Sequence, residues 1–307
     1  MKSVAVVGGG SWGTALACLI ARTIGHTYLY TPEEQIVDEI NHKHSNSKYL
    51  GDTKVHAKVV ATAKIKDIIT ADSIIIAVPS HAFSQILLQL KQAGMMANTL
   101  MLIATKGLCE NPVQLFSSYI ESKFDNPYAF ISGPNFAKEV AEDKFTSITI
   151  SSKDIALAKK VANRLASKKL ETSVSNDIIT VQVAAIVKNI VAIRSGMMQA
   201  DTAGENALAW LISKGLEEIA IIAKALGGKP ESLTLPAVIG DLVLTCYSKT
   251  SRNTKFGCEF HQNNYSKEFL NNYPTLVEGV NSARLLKIFL KGYRLDLPII
   301  SSVADLV

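Results

Sequence analysis

Three glycines stand close together near the start of the chain, between residues that favour a strand and residues that favour a helix. They are Gly8, Gly10 and Gly13 in the segment VAVVGGGSWGTALACLIA, and they satisfy the pattern G-x-G-x-x-G. In this pattern the first glycine permits a tight turn, the second lets a pyrophosphate approach the backbone, and the third lets helix and strand pack closely. The helix start offers unpaired N–H groups and a positive dipole end to phosphates. The segment predicts a dinucleotide-binding turn, with a glycine-rich turn of another α/β fold as the alternative.

The rest of the N-terminal half alternates short β-branched runs with helix-like runs. Strands are predicted at Ser3–Val7, Thr27–Thr31, Val55–Ala61, Ser73–Val78, Leu100–Ala104, Tyr128–Ile131 and Ser147–Ser151. This alternation is typical of parallel βαβ units and favours the dinucleotide interpretation. After about Ile178, apolar-periodic segments such as ALAWLISKGLEEIAIIAKALGG predict helices. We therefore expect an α/β Rossmann-like N-terminal domain at residues 1–180 and an all-α C-terminal domain at residues 181–307.

The composition narrows the class of protein. Of the 307 residues, 48% are hydrophobic and 19% are charged, which is typical of a globular protein with room for two domains. The net charge of +5 is spread along the chain, which favours a small anionic ligand over nucleic acid. The four cysteines form no CxxC pair, so we expect no disulfide framework, no metal site and a cytoplasmic location. No membrane span is predicted, because Gln182, Lys188 and Asn189 interrupt the most apolar stretch.

The residues after the second predicted strand bear on which dinucleotide binds. An acidic side chain about twenty positions past the glycines binds the ribose hydroxyl of NAD, whereas a basic one accommodates the extra phosphate of NADP. Glu33 and Glu34 lie in this region, and no Lys or Arg occurs between Arg22 and Lys43. The predicted cofactor is NAD or NADP, and the acidic residues favour NAD. The alternative is that both glutamates only begin a solvated helix after Pro32.

Two charged residues in the C-terminal half are surrounded by apolar sequence. On a helix, Lys188 would share its face with Ala184, Ala185 and Val191, where an ammonium group is costly to bury. Burial lowers the pKa of a lysine, which makes the amine a usable general acid/base near neutral pH. Asp241 stands among apolar residues in AVIGDLVLTC, and Lys188 is a candidate partner. A structural salt bridge, or a lysine that extends to solvent, would explain the same pattern without catalysis.

Basic and polar side chains gather just downstream in the segment SKTSRNTKFG. Lys249, Arg252 and Lys255 stand there among hydroxyl and amide groups, a combination that suits a phosphate, although an exposed polar loop is the alternative. In the N-terminal half, Lys106 follows a predicted strand in ATKG, at the end of the sheet where open α/β folds bind ligands. Lys106 is either a contact for an anionic substrate or an ordinary surface lysine.

Eight segments together resemble the bacterial NAD(P)-dependent glycerol-3-phosphate dehydrogenase family. They occur in the family's order and at close to its spacing: GGGSWGTALA, VPSH, ATKG, SGPNFAKEV, VKNI, GDLVLTC, SRNTKFG and VEG. The resemblance implies a Rossmann-like domain before a helical domain, and interconversion of sn-glycerol 3-phosphate and dihydroxyacetone phosphate with NAD(P). It also implies a small phosphorylated substrate, a homodimer and a supply of glycerol 3-phosphate for phospholipid synthesis.

The resemblance also implies roles for individual residues. It assigns Lys188 as the catalytic proton acceptor. The substrate contacts that it implies are Lys106, Gly133, Asn135, Lys188, Asp241, Ser251, Arg252 and Asn253. Beyond the three glycines, the cofactor contacts that it implies are Ser11, Trp12, Lys106, Ala137, Arg252, Leu276 and Glu278.

The chain departs from the family pattern at several positions. Asn135 stands where Ser or Thr is usual, Leu208 and Lys214 stand where Arg is common, and Thr254 stands where a basic residue is frequent. A lysine cannot copy the bidentate fork of an arginine, so we expect an anion contact or helix packing to differ there.

The sequence leads to one hypothesis and two rivals. In the hypothesis, Arg252 and Asn253 hold the substrate phosphate with help from Ser251, and Lys188 exchanges the proton of the C2 hydroxyl. A related two-domain hydroxy-acid dehydrogenase is the first rival, and it would need no phosphate loop. A non-catalytic protein that senses NAD(H) is the second, and it would need neither Lys188 nor Asp241 in apolar surroundings.

Overall fold

The computed structural model describes residues 1–307, and the chain forms two compact units. The first unit consists of Met1–Thr105 and Ser117–Asn176, and the second consists of Lys106–Phe116 and Asp177–Val307. The second unit therefore begins before the predicted division at residue 180. It also takes in residues 106–116, which the sequence analysis placed in the first domain.

Ten strands and fourteen helices are numbered in chain order. The strands are β1 Val4–Val7, β2 Thr27–Tyr30, β3 Val59–Thr62, β4 Ser73–Ile76, β5 Leu100–Ile103, β6 Cys109–Glu110, β7 Val113–Gln114, β8 Tyr128–Ser132, β9 Thr146–Ser151 and β10 Leu170–Ser175. The helices are α1 Ser11–Thr23, α2 Glu34–Lys43, α3 Ser47–Leu50, α4 Phe83–Gln92, α5 Phe116–Lys123, α6 Ala137–Ala141, α7 Ile155–Leu165, α8 Ile178–Ala200, α9 Glu205–Ala225, α10 Asp241–Tyr247, α11 Arg252–Gln262, α12 Lys267–Asn271, α13 Glu278–Phe289 and α14 Pro298–Ala304.

Eight of the strands form one sheet in the first unit, in the order β10-β9-β8-β5-β4-β1-β2-β3. Neighbouring strands are parallel except β8 and β9, which are antiparallel. The order of β3, β2, β1, β4 and β5 is that of a Rossmann fold, in which the strand order reverses next to β1 and ligands bind at the carboxyl ends of the strands. The predicted α/β Rossmann-like domain is confirmed.

The buried centre of this sheet explains why its strands were readable from the sequence. The strands β1, β4 and β5 read VAVV, SIII and LMLI, and every residue in them is buried. Continuous apolar runs are expected where helices cover both faces of a parallel sheet. By contrast, β10 reads LETSVS and is mostly half-buried. The sequence analysis did not predict this strand, because it contains too many polar residues to form an apolar run.

The second unit is built around α8, a helix of 23 residues that contacts α9, α10, α11, α13 and α14. Asp177 starts this helix, because its carboxylate accepts hydrogen bonds from the N–H groups of Ile179 and Thr180. From Asp177 onward the unit contains helices and turns only, and the predicted helical C-terminal domain is confirmed. The short β6–β7 hairpin adds strands to it that the sequence analysis did not predict, and it joins the unit because β7 contacts α13.

Glycines bring the backbones of α8 and α11 into contact. A Cβ atom on Gly257 would lie 2.0 Å from the Ile193 carbonyl oxygen, and one on Gly196 would lie 1.9 Å from the Thr254 carbonyl oxygen. No side chain fits at either position, so the backbones of the two helices are in direct contact. The residues at the start of α11 are thereby placed in a fixed position against α8.

The helix α8 is also long and apolar enough to cross a membrane, with a mean hydropathy of 1.5. However, 89% of its most apolar window is buried inside the unit. Its apolar residues therefore pack against neighbouring helices inside the unit.

Candidate cofactor and substrate sites

The glycine turn between β1 and α1 has the geometry that the sequence predicted. Gly8 has a φ of +122°, and a Cβ atom there would lie 2.3 Å from the Ala77 carbonyl oxygen. A Cβ atom on Gly13 would lie 1.9 Å from the carbonyl oxygen of Gly8. Only glycine fits at these two positions, because one needs left-handed backbone and both allow a close approach of backbone to backbone.

The space in front of this turn fits a phosphate-bearing cofactor. A Cβ atom on Gly10 would meet no protein atom within 4 Å, so a ligand can reach the backbone there. Gly10 precedes α1 and provides no side-chain cap, which leaves the first N–H groups of a 13-residue helix without a side-chain acceptor. In the first turn, the Trp12 indole N–H is buried and has no acceptor in the protein. These features match a dinucleotide bound at Gly10, Ser11 and Trp12.

The end of β2 holds a charged pair that the sequence analysis did not anticipate. The Glu33 carboxylate pairs with the Lys48 ammonium group and accepts a hydrogen bond of 3.1 Å from the Tyr49 hydroxyl. Glu34 is exposed and lies in the first turn of α2, so the alternative of a helix start applies to it. A basic residue, Lys48 on α3, is therefore present in this region, although it lies beyond Lys43 in the sequence.

The turn between β8 and α6 contains three of the predicted contacts. A Cβ atom on Gly133 would lie 2.3 Å from the Ser147 carbonyl oxygen, so this position requires glycine. The Asn135 amide nitrogen donates to that same Ser147 oxygen at 2.9 Å, while its Oδ1 atom is buried and has no donor in the protein. Ala137 begins α6, which packs against α1. Asn135 therefore presents an unpaired acceptor, which the usual Ser or Thr would replace with a hydroxyl.

In the second unit, two lysines share one buried carboxylate. The Lys188 ammonium nitrogen on α8 lies 2.5 Å from Oδ1 of Asp241, and the Lys106 ammonium nitrogen lies 3.0 Å from Oδ2. Lys188 also donates to the Thr245 hydroxyl at 3.1 Å, and Thr245 in turn donates to the Asp241 carbonyl oxygen. Asp241 and Thr245 are one turn apart on α10, so the two acceptors of Lys188 lie on one face of that helix.

Burial and the neighbouring charges shift the pKa values within this lysine–aspartate cluster. Burial lowers the pKa of Lys188 to about 7, opposed by the attraction of Asp241 and aided by the repulsion from Lys106. Burial by itself would raise the pKa of Asp241, but the two ammonium groups outweigh it and lower that pKa. Asp241 is therefore ionised, and Lys188 changes between ammonium and amine close to neutral pH. A group that does so can accept and return a proton.

The predicted phosphate residues lie at the N-terminus of α11. Ser251 is the N-cap, and its hydroxyl accepts a 3.3 Å hydrogen bond from the Thr254 N–H. Arg252 is exposed and borders a cavity of about 630 Å³. Asn253 is held by its neighbours, because it donates to the Asn189 side chain at 2.9 Å and accepts from the Gly279 N–H at 2.9 Å.

Two predicted cofactor contacts lie next to Gly279, the residue whose N–H donates to Asn253. Glu278 begins α13 beside Gly279, and Leu276 is exposed in the loop before it. Sequence reasoning missed the roles of Asn189 and Thr245 as partners of Asn253 and Lys188. The signal for Asn189 was available, because it is a polar residue in the same apolar helix as Lys188.

The departures from the family pattern are explained in part by the structure. Thr254 is buried, and its hydroxyl donates to the Thr245 carbonyl oxygen at 2.9 Å between α10 and α11. No basic side chain would fit unpaired in that contact. Leu208 is buried in α9, whereas Lys214 is exposed and pairs with Glu217 at 2.6 Å. Both positions in α9 are accounted for by packing and a surface ion pair.

Comparison with known proteins assigns the chain to a family. The family model described as the NAD-dependent glycerol-3-phosphate dehydrogenase N-terminus matches residues 3–158, and the model of its C-terminus matches residues 177–307. The chain belongs to this dehydrogenase family. The members of the family that it resembles include the glycerol-3-phosphate dehydrogenase [NAD(P)+] of Rickettsia bellii, strain OSU 85-389, with 45% identity over 100% of this chain and 98% of the relative.

Other dehydrogenases of the family agree with this assignment. The glycerol-3-phosphate dehydrogenase [NAD(P)+] of Rickettsia rickettsii, strain Sheila Smith, is 47% identical over 100% of this chain and 91% of the relative. The crystal structure of glycerol-3-phosphate dehydrogenase from Coxiella burnetii superimposes with a TM-score of 0.91 at 32% identity, over 98% of this chain and 93% of that one. The predictions of the family, of an NAD(P)-dependent dehydrogenase and of NAD or NADP as cofactor are confirmed.

Proposed function

We propose that this dehydrogenase interconverts sn-glycerol 3-phosphate and dihydroxyacetone phosphate, with Lys188 as the general acid/base. The observation that carries the proposal is the cluster of Lys188, Asp241 and Lys106, in which two lysines contact one buried carboxylate and burial lowers the pKa of Lys188 to about 7. A structural salt bridge would explain the contact between Lys188 and Asp241, but it would not require a second lysine on the same carboxylate.

The proton moves at the Nζ atom of Lys188 in this proposal. In oxidation, the neutral amine accepts the proton of the C2 hydroxyl, and in reduction the ammonium group returns it to the ketone oxygen. The nicotinamide supplies hydride acceptance and donation when it is bound. Asp241 and Thr245 hold the Lys188 nitrogen in place, and the Asp241 carboxylate stabilises the ammonium form. Such a group contributes roughly 10²- to 10⁴-fold in rate.

The phosphate group is proposed to bind at the start of α11. The exposed Arg252 guanidinium offers a bidentate contact, and the N-terminus of the 11-residue helix adds N–H groups and a positive dipole end. Asn253 has only one amide hydrogen left after its bonds to Asn189 and Gly279, so it would donate a single hydrogen bond. Lys106 supplies a further positive charge. Contacts from Gly133 and Asn135 to the substrate are part of the same proposal.

Replacement of Lys188 tests the acid/base role. The variant Lys188→Ala should lose about 10²- to 10⁴-fold in turnover and keep most of its affinity for NADH, because the glycine turn is unchanged. Lys214→Ala is the matched control, since it removes an exposed lysine from the neighbouring helix α9. If Lys188→Ala keeps its turnover within roughly threefold of the parent enzyme, Lys188 is not the acid/base of the reaction.

Substrate tests separate the rivals. A hydroxy-acid dehydrogenase would turn over a phosphate-free substrate at least as well as dihydroxyacetone phosphate, and a redox sensor would bind NADH without turnover of either. The proposed enzyme should instead lose most of its activity with unphosphorylated dihydroxyacetone. Arg252→Ala should raise the KM for dihydroxyacetone phosphate, because the bidentate contact to the phosphate is lost.

We further propose that the enzyme is a cytoplasmic homodimer that supplies glycerol 3-phosphate for phospholipid synthesis. The family resemblance supports the role and the location, and the four cysteines, none of which forms a disulfide, also support the location. Large apolar side chains such as Trp210 and Ile288 are more than half exposed, and this supports an association of two chains. Light scattering tests the dimer, and a monomeric mass at assay concentrations would contradict it.

A further inference from the structure

The structure places an ammonium group beside the carboxylate at the end of β2. Lys48 on α3 pairs with Glu33, and its nitrogen also lies 4.9 Å from the centre of the Tyr49 ring. In Rossmann folds, the acidic residue after the second strand binds the ribose hydroxyl of NAD, and a basic residue nearby accommodates the 2′-phosphate of NADP. Here both kinds of side chain are present and in contact.

A buried amide fixes this pair relative to the glycine turn. Asn46, the residue before α3, donates from its side chain to the Gly9 carbonyl oxygen and to the Thr14 hydroxyl, each at 2.9 Å. A Cβ atom on Gly9 would lie 2.7 Å from the Thr31 side chain, so the end of β2 also touches the turn. Lys48 and Glu33 are therefore attached from two sides to the loop that receives the pyrophosphate.

We propose that Lys48 and Glu33 together determine which nicotinamide cofactor the enzyme uses. With NAD, Glu33 accepts from the ribose hydroxyls while Lys48 stays paired with it. With NADP, Lys48 turns from Glu33 to the 2′-phosphate, which carries close to two negative charges at pH 7. This inference rests on cofactor binding at the glycine turn and is independent of the reaction assigned to Lys188.

The exposure of the pair is what allows it to serve both cofactors. The side chains of Lys48 and Glu33 are 57% and 38% exposed. An exposed ion pair contributes little to stability, so its opening costs little. A contact between an ammonium group and a phosphate is a stronger, charge-assisted one. We therefore expect Lys48 to exchange Glu33 for a phosphate partner only when a 2′-phosphate is present.

Equilibrium binding tests the proposal without any assay of turnover. Dissociation constants are measured by calorimetry for NADPH, NADH, adenosine 2′,5′-bisphosphate and 5′-AMP. Lys48→Ala should weaken NADPH and the bisphosphate by about tenfold or more, and change NADH and 5′-AMP by less than about threefold. Glu33→Gln should do the opposite, with weaker NADH binding and equal or tighter NADPH binding, because the carboxylate that repels the phosphate is gone.

The matched control is Lys58→Ala, which removes the same charge from the amino end of the neighbouring strand β3, at the other end of the strands from the glycine turn. Lys58 is exposed, and its carbonyl oxygen accepts from the N–H of Thr27 at the start of β2. The Lys58→Ala variant should bind all four compounds with the same affinity as the parent enzyme. If Lys48→Ala weakens NADPH and NADH by the same factor, or weakens neither, the proposal is wrong, and an equal loss would mean that α3 only supports the fold. The reaction assigned to Lys188 would be unaffected by either result.

Discussion

Two lysine–carboxylate pairs, one in each unit, show how surroundings decide what the same two groups can do. Lys48 and Glu33 are exposed to solvent, and the hydrogen bond to Glu33 raises the pKa of Lys48. Lys188 and Asp241 are buried, and burial lowers the pKa of Lys188 to about 7. The exposed lysine is a permanent charge that can change partners, whereas the buried lysine keeps its partner and can change its charge.

Substitution by arginine should give the largest difference between the two lysines. Arginine cannot be deprotonated in proteins, so Lys188→Arg should lose about 10²- to 10⁴-fold in turnover although the positive charge is kept. Lys48→Arg should keep NADPH binding, because a permanent charge is all that the site needs. Steady-state rates and NADPH titrations measure the two effects. Substantial turnover in Lys188→Arg would contradict a proton transfer at this position.

Removal of the carboxylates should show the next largest difference, this time in stability. Asp241→Ala leaves the buried Lys188 without its carboxylate and next to the partly exposed Lys106, and breaking a buried pair costs about 3–5 kcal/mol. Glu33→Ala should leave the free energy of unfolding unchanged within error, because exposed pairs contribute little. Urea unfolding at pH 7 measures both variants. Equal destabilisation would show that burial is not what distinguishes the pairs.

The pH dependence should sharpen the comparison, with a change of up to about tenfold per pH unit. In the proposed mechanism the oxidation of glycerol 3-phosphate uses the neutral amine of Lys188, so its kcat/KM should rise with pH through about 7 and then level off. Ketone reduction uses the ammonium form in the same mechanism, so the kcat/KM for reduction should fall over the same pH range. Rates measured in both directions from pH 6 to 9 check this. Parallel profiles in the two directions would assign the titration to another group.

Stability should follow the same titration with a smaller effect. The pKa of Lys188 is lower in the folded chain than its ordinary value of 10.5, so the unfolded chain binds more protons from about pH 7 upward. The contribution of Lys188 to the free energy of unfolding should therefore increase as the pH rises above 7. The variant Lys188→Met, which has no titrating group, should lack this increase in urea unfolding. An identical pH dependence in the parent and in Lys188→Met would exclude the lysine as its source.

The features that sequence alone predicted are those that depend on local pattern. The three glycines stand next to each other in the chain, and the buried strands β1, β4 and β5 are continuous apolar runs. Lys188 and Asp241 were noticed because each is charged among apolar neighbours. Their pairing across 53 positions was a hypothesis that the fold confirms with a 2.5 Å contact.

The features that escaped prediction depend on tertiary contacts between polar residues. Lys48 is 15 positions from Glu33 and looks like an ordinary surface lysine until Asn46 is seen to attach α3 to the glycine turn. The donor groups of Asn135 face β9, which the residue type could not reveal. In both cases the side chain's partner is a backbone or polar group that leaves no trace in hydrophobic periodicity.

The backbone contact between α8 and α11 has a consequence for substrate size. Lys188 lies about two turns before Gly196 on one helix, and Arg252 lies at the start of the other. Since no side chain separates Gly196 and Gly257 from the facing carbonyl oxygens, direct main-chain contact holds the start of α11 against the helix that carries Lys188. If Lys188 transfers the proton and the start of α11 binds the phosphate, as proposed, this fixed spacing should favour compounds whose reacting carbon is bonded to the carbon that bears the phosphate ester.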